Sequence, residues 1–124
     1  MATTLYGIPN CDTVKKARAW LADHGVDYAF HDFKKQGVPA ELLPAWLERF
    51  GRDRLLNRAG TTWRRLDDAT RAAAMATDAA ATELMRREPS VIKRPVVQWP
   101  GGQWTLGFSA DAFENSASIA PKQS

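Results

Sequence analysis

Thr4-Leu5-Tyr6-Gly7-Ile8-Pro9-Asn10-Cys11-Asp12-Thr13-Val14-Lys15-Lys16 is the stretch on which the reading of this chain turns. Thr4 to Ile8 has the composition of a short buried strand, and Pro9-Asn10 is a turn signal. A helix follows from about Asp12 to His24. Its apolar positions Val14, Ala17 and Leu21 recur at helical spacing while Lys15, Lys16 and Arg18 face outward, and Gly25 closes it. Asp12 is a candidate N-terminal cap. Val26-Asp27-Tyr28-Ala29-Phe30-His31-Asp32-Phe33 then alternates apolar and polar residues, the pattern of a half-buried second strand. Strand, helix, strand is a βαβ unit, so the two strands are expected to run parallel.

Beyond this unit the chain turns helical. Pro39 suits a first helical position, and Leu42, Leu43, Trp46, Leu47 and Phe50 form one apolar face before Gly51. A short helix is expected over Asp53–Asn57, a loop over Ala59-Gly60-Thr61-Thr62, and helices over Asp67–Ala76 and Asp78–Glu88. Val91 to Trp99 reads as extended, Pro100-Gly101-Gly102 as a hairpin turn, and Gln103 to Leu106 as its second strand. Phe108–Asn115 is the last helix expected. The order is βαβ, an all-helical insert at about 37–90, then ββα. Without the insert this is the order of a thioredoxin-like α/β fold, with a four-stranded mixed sheet and helices on both faces. We read residues 1–124 as one such domain, with a flexible C-terminal tail at about 116–124.

Composition narrows the functional classes. At 124 residues, with 44% apolar and 25% charged side chains, the chain suits a single folded domain. It has no signal-peptide pattern and no apolar run long enough to span a membrane, so a cytoplasmic monomer without a membrane partner is the expectation. The net charge of +3 comes from 17 basic and 14 acidic residues without a clustered basic stripe, which argues against direct DNA binding. A single cysteine excludes an internal disulfide.

That cysteine is either core packing or a reactive thiol, and its position favours the second. Cys11 lies where the first strand gives way to the first helix. A helix N-terminus offers unpaired N–H groups and roughly half a positive charge, which favour the reactive thiolate. Lys15 and Lys16 add positive charge and Asp12 opposes it. One Cys and two His, all apart in sequence, do not make a zinc site, so no metal is expected. His24 reads as a helix-end surface residue and His31 as part of the alternating strand. Gly101-Gly102 is a turn, not a phosphate loop.

Arg94-Pro95 is the second informative site. In the thioredoxin fold a cis proline at the start of a strand sits opposite the cysteine and presents backbone to a peptide-like thiol substrate. Arg94 would then reach the same cleft, where its fork of donors suits a carboxylate or an oxyanion. Asn57, Arg58, Arg64 and Arg65 are further candidates for lining it.

Together, Tyr6 to Lys16, Leu55-Leu56-Asn57-Arg58-Ala59-Gly60-Thr61-Thr62-Trp63 and Ile92-Lys93-Arg94-Pro95-Val96-Val97 resemble the ArsC family of arsenate reductases and their Spx-like relatives. Within it the chain is most similar to the YffB-like bacterial thiol reductases. The resemblance implies a nucleophilic Cys11, and Arg94, Pro95, Lys15, Thr13, Arg58 and Asn57 as substrate-binding residues. It also implies no bound cofactor, glutathione as co-substrate, and glutaredoxin as a partner. The chain departs from the arsenate reductases at Gly7, where they carry histidine, at Lys15, where they carry arginine, and at Phe108, which meets their third arginine. It departs from the redox-sensing Spx-like proteins at Val14, which meets the second cysteine of a CxxC. Three readings follow: a glutathione-dependent thiol oxidoreductase, an arsenate reductase, and a non-enzymatic interaction module contacting RNA polymerase.

Overall fold

The computed structural model describes residues 3–119. The first strand, β1, spans Thr3–Gly7, and the helix α1 spans Asp12–Asp23. Strand β2 (Tyr28–Asp32) follows, and then the single turn α2 (Phe33–Gln36). A 3-10 turn at Ala40–Leu42 leads into α3 (Leu43–Leu55), α4 (Thr61–Arg65), α5 (Asp68–Ala76) and α6 (Asp78–Arg87). After a second 3-10 turn at Pro89–Val91 come β3 (Val96–Gln98), β4 (Trp104–Leu106) and α7 (Ala110–Ile119). Among the described residues no helix is long and apolar enough to cross a membrane.

The chain divides into two compact units. One holds the described residues up to Phe33 and from Arg94 onward; the other is 34–93. In the first, the strands form one sheet in the order β2-β1-β3-β4. β1 and β2 are parallel, with Leu5 opposite Phe30, and the β1–β3 and β3–β4 pairs are antiparallel. This is the mixed four-stranded sheet of a thioredoxin-like α/β fold.

Helix α1 forms because Val14, Ala17 and Leu21 recur on one face, and all three are fully buried. They pack with Leu5, Val97, Trp99 and Phe113 into one apolar cluster, which brings α1 and α7 onto the same face of the sheet. Each such side chain removed from water contributes about 1.5–3 kcal/mol. The helix ends as a Schellman motif. The Val26 N–H donates to the Leu21 carbonyl (2.9 Å) and the Gly25 N–H to that of Ala22 (3.2 Å). Gly25 can sit there at φ 66° because it has no Cβ.

In the second unit, α5 and α6 pack against each other and against α3, burying Leu43, Trp46, Leu47, Phe50, Ala74, Ala81, Leu84 and Met85. Asp67 caps α5 by accepting from the Thr70 N–H (2.7 Å), and Thr77 caps α6 by accepting from the Ala80 N–H (3.1 Å). Leu56 bridges antiparallel to Ile92, so the chain after α3 runs alongside the 3-10 turn.

Several boundaries differ from the sequence reading. Gly51, at φ 78° and ψ 160°, is non-helical and interrupts α3 where the sequence reading ends its apolar-faced helix, but the helical turns beyond it stop at Leu55, short of the expected Asn57. Thr61-Thr62, read as loop, begins α4, with Gly60 as N-cap. Val91–Trp99, read as continuously extended, is interrupted: Val91 is the last residue of a 3-10 turn, Ile92 makes an isolated bridge, and β3 begins only at Val96. Pro39 precedes a 3-10 turn, and the proline in the first turn of α3 is Pro44. The last helix begins at Ala110 and runs to Ile119, so 116–119, read as tail, are helical. The rest of that tail lies outside the described residues.

Candidate active site

Cys11 sits where β1 hands the chain to α1. Its backbone is extended (φ −140°, ψ 125°), and it is the N-cap of α1. Asp12, expected to cap, is instead the first helical residue and is exposed. The Lys15 N–H closes the first turn onto the Cys11 carbonyl at 2.9 Å. No side chain caps this helix, so the N–H groups of its first turn are left to act on the sulfur.

Partial burial alone would push the Cys11 thiol up. The Val14 N–H, a hydrogen bond from the Arg94 side chain together with its charge, and the Thr13 N–H outweigh that burial. Their sum holds the thiol below its ordinary range. All of these donors favour sulfur carrying a full negative charge, the form that attacks electrophiles.

Arg94 reaches Cys11 through the topology of the sheet. The Arg94–Pro95 peptide is cis, and Pro95 is buried at the entrance to β3. β3 lies antiparallel beside β1, with Val96 opposite Tyr6. The start of β3 therefore falls at the same end of the sheet as the exit from β1. The Pro95 carbonyl accepts from the Gly107 N–H at 2.8 Å, which fastens this turn to the segment after β4.

The other residues singled out by sequence are distributed differently. Thr13 acts through its backbone N–H, and its side chain is exposed. Lys15 is exposed, and it is not among the groups that lower the Cys11 thiol. Asn57 and Arg58 belong to the second unit, in the turn after α3. The Asn57 N–H donates to the Val91 carbonyl at 2.7 Å, and Arg58 is exposed. Arg64 and Arg65 form the exposed end of α4. His24 donates from Nδ1 to the Trp20 carbonyl (2.8 Å) and stacks on the Trp20 ring at 3.8 Å. His31 lies against Tyr6, with ring centroids 5.1 Å apart. Among the described residues no cluster of His, Cys, Asp or Glu could hold a metal ion.

Sequence reading missed two contributors. The Val14 N–H is one, although the helix start three residues earlier implies it. The other is Gly7: a Cβ there would meet Val14 Cγ2 at 2.9 Å, closer than such atoms come. Glycine at the end of β1 thus lets the first turn of α1 settle against the strand.

A model of the ArsC family matches residues 6–116, a span that includes Cys11 and Arg94. An uncharacterized protein of Haemophilus influenzae is 38% identical over 111 residues, covering 90% of this chain and 95% of that protein. Among solved structures, a protein named YFFB is 47% identical with a TM-score of 0.86, over 93% of this chain and 98% of that one. An arsenate reductase (ArsC) related protein from Brucella melitensis is 49% identical with a TM-score of 0.71, over 93% of each. Matched through both compact units and across the cysteine turn, the chain belongs to the ArsC family.

Proposed function

We propose that the protein is a glutathione-dependent thiol oxidoreductase with Cys11 as its nucleophile. The observation that carries this reading is the contact of Arg94 with the Cys11 thiol, beside the free amides of α1. Arg94 favours the thiolate and, with its remaining donors, suits a carboxylate such as those of glutathione. Cys11 attacks the glutathione sulfur of a mixed disulfide. A new disulfide forms between Cys11 and glutathione, the old one breaks, and the second sulfur leaves as a thiolate that takes a proton from water. With one cysteine in the chain, no internal thiol can resolve this intermediate. A second glutathione, or a glutaredoxin, attacks it, releasing an oxidised disulfide product and the Cys11 thiolate. Pro95 shapes the groove, while Lys15 and Thr13 are the further substrate-binding residues of this reading. A reducing compartment such as the cytoplasm would supply the glutathione.

The test is reduction of a glutathione mixed disulfide by the purified protein, with glutathione and glutathione reductase present and NADPH consumption followed. Turnover lost in Cys11→Ser and weakened in Arg94→Ala is the expected result. Absence of turnover, or turnover that survives Cys11→Ser, would overturn the reading.

A further inference from the structure

We propose that Phe108 selects the leaving thiol, forming an apolar rest beside Cys11 for a substrate whose second sulfur carries an aromatic or bulky aliphatic group. The proposal rests on the reading of Cys11 given above and adds the class of substrate.

Three observations converge on it. Tyr6, Val96 and Leu106 lie side by side across β1, β3 and β4. The exit from β1 toward Cys11, the entry to β3 from Arg94-Pro95 and the exit from β4 toward Phe108 therefore meet at one end of the sheet. Next, the Gly107 N–H is bonded to the Pro95 carbonyl, so the residue before Phe108 is tied directly to the turn that carries Arg94. Finally, Cys11 and Phe108 are both half-buried, and both pack against the cluster of Leu5, Val14, Ala17, Leu21, Val97, Trp99 and Phe113.

The Phe108 ring is braced. Phe113 meets it edge-on, with centroids 4.8 Å apart and planes at 87°. Phe113 is fully buried and is itself held by Trp99 at 5.1 Å. A ring fixed in this way, with part of its surface in water, is preorganised to cover an apolar group at little entropic cost. When glutathione places a carboxylate on Arg94 and its sulfur on Cys11, the substituent of the leaving sulfur is the part of the substrate free to lie on Phe108. A thiol bearing a small polar group would leave that surface wet.

The experiment compares alkylation of the intact protein by iodoacetamide and by N-benzyl iodoacetamide, at a pH where Cys11 is fully thiolate. In both reactions the Cys11 sulfur displaces iodide, so the ratio of rate constants reports contact with the benzyl group. The ratio is expected to be about threefold to tenfold higher in the native protein than in Phe108→Ser, the range of one aromatic contact, with Phe108→Leu between them. Equal ratios in all three would overturn the proposal, and Phe108→Leu decides it should Phe108→Ser fail to fold. A second arm compares kcat/KM for glutathione disulfides of benzyl mercaptan and of 2-mercaptoethanol. A preference for the benzyl substrate that disappears through KM in the Phe108 variants supports the proposal, and a preference that persists in them overturns it. If neither disulfide is turned over, the oxidoreductase reading fails while the alkylation ratio still decides the role of Phe108.

Discussion

At the scale of single residues, the chemistry depends on how three donors share one sulfur. Burial works against the Cys11 thiolate, and it is outweighed by two backbone amides and by the hydrogen bond and charge of Arg94. Cys11 alkylation should therefore show its pH inflection below the value of about 8.5 for an unperturbed cysteine. Arg94→Ala should move the inflection upward. Arg94→Lys should move it less, since lysine keeps the charge but loses the planar fork. An inflection that ignores Arg94 would show the amides acting alone. The same shift links to folding. A thiol whose folded-state pKa lies below its unfolded one stabilises the protein fully above the unfolded value, and the contribution fades as pH falls through the folded one. Urea unfolding of the native chain should thus gain stability, relative to Cys11→Ser, between those two pH values and nowhere below them. Part of this site was legible in the sequence, because a strand followed by a turn and a 3.6-residue period puts Cys11 at a helix start. The approach of Arg94 to Cys11 was legible only through the fold, from the proline that a thioredoxin-like order sets opposite the cysteine; the antiparallel register of β3 beside β1 that brings it about is encoded by no local pattern.

At the scale of elements, Gly7 and Val14 show how a strand and a helix fix the reactive turn together. The Gly7→Ala methyl would press on Val14 Cγ2, and Val14 is fully buried with no space to retreat. Overpacking of this kind costs about 1–3 kcal/mol. Because the Val14 N–H acts on the sulfur, the shift should also raise the Cys11 inflection. In the double variant with Val14→Ala the inflection should return and the stability loss should be smaller than the sum of the two single losses, a coupling that a thermodynamic cycle measures directly. Additive effects would mean that the strain relaxes elsewhere. In the second unit, Thr77 caps α6 immediately after α5 ends. Thr77→Ala is expected to cost about 1 kcal/mol in chemical denaturation, and Thr77→Asp much less. These helices were legible because capping residues and alanine-rich runs are local signals. α4 was not: Thr61 and Thr62 are weak helix formers, and the helix is held instead by burial of Trp63. The break before β3 was hidden because Val91 and Ile92, both buried, have the same composition in a 3-10 turn as in a strand.

At the scale of the whole molecule, what the chain can reduce is limited by how much negative charge its site can neutralise. Arsenate carries its own negative charge, so attack by a thiolate brings like charges together, and donors fixed in advance must offset them. Among the groups that lower the Cys11 thiol, Arg94 is the one cationic side chain. Charged hydrogen bonds are worth about 1.5–3 kcal/mol each, so a site short of one or two loses roughly ten-fold to a few ten-thousand-fold in rate. Phe108, packed on Phe113, offers no donor. A carboxylate held at the end of a peptide-like substrate makes a lighter demand, because its charge stays away from the sulfur that is attacked. Steady-state arsenate reduction with glutathione and glutaredoxin supplied should accordingly be absent or far slower than reduction of a glutathione mixed disulfide under the same conditions. Introducing a cation by Phe108→Arg should raise the arsenate rate and lower the rate with an aromatic disulfide. Efficient arsenate turnover by the native chain, lost in Cys11→Ser, would reverse this order and make the oxyanion the leading substrate.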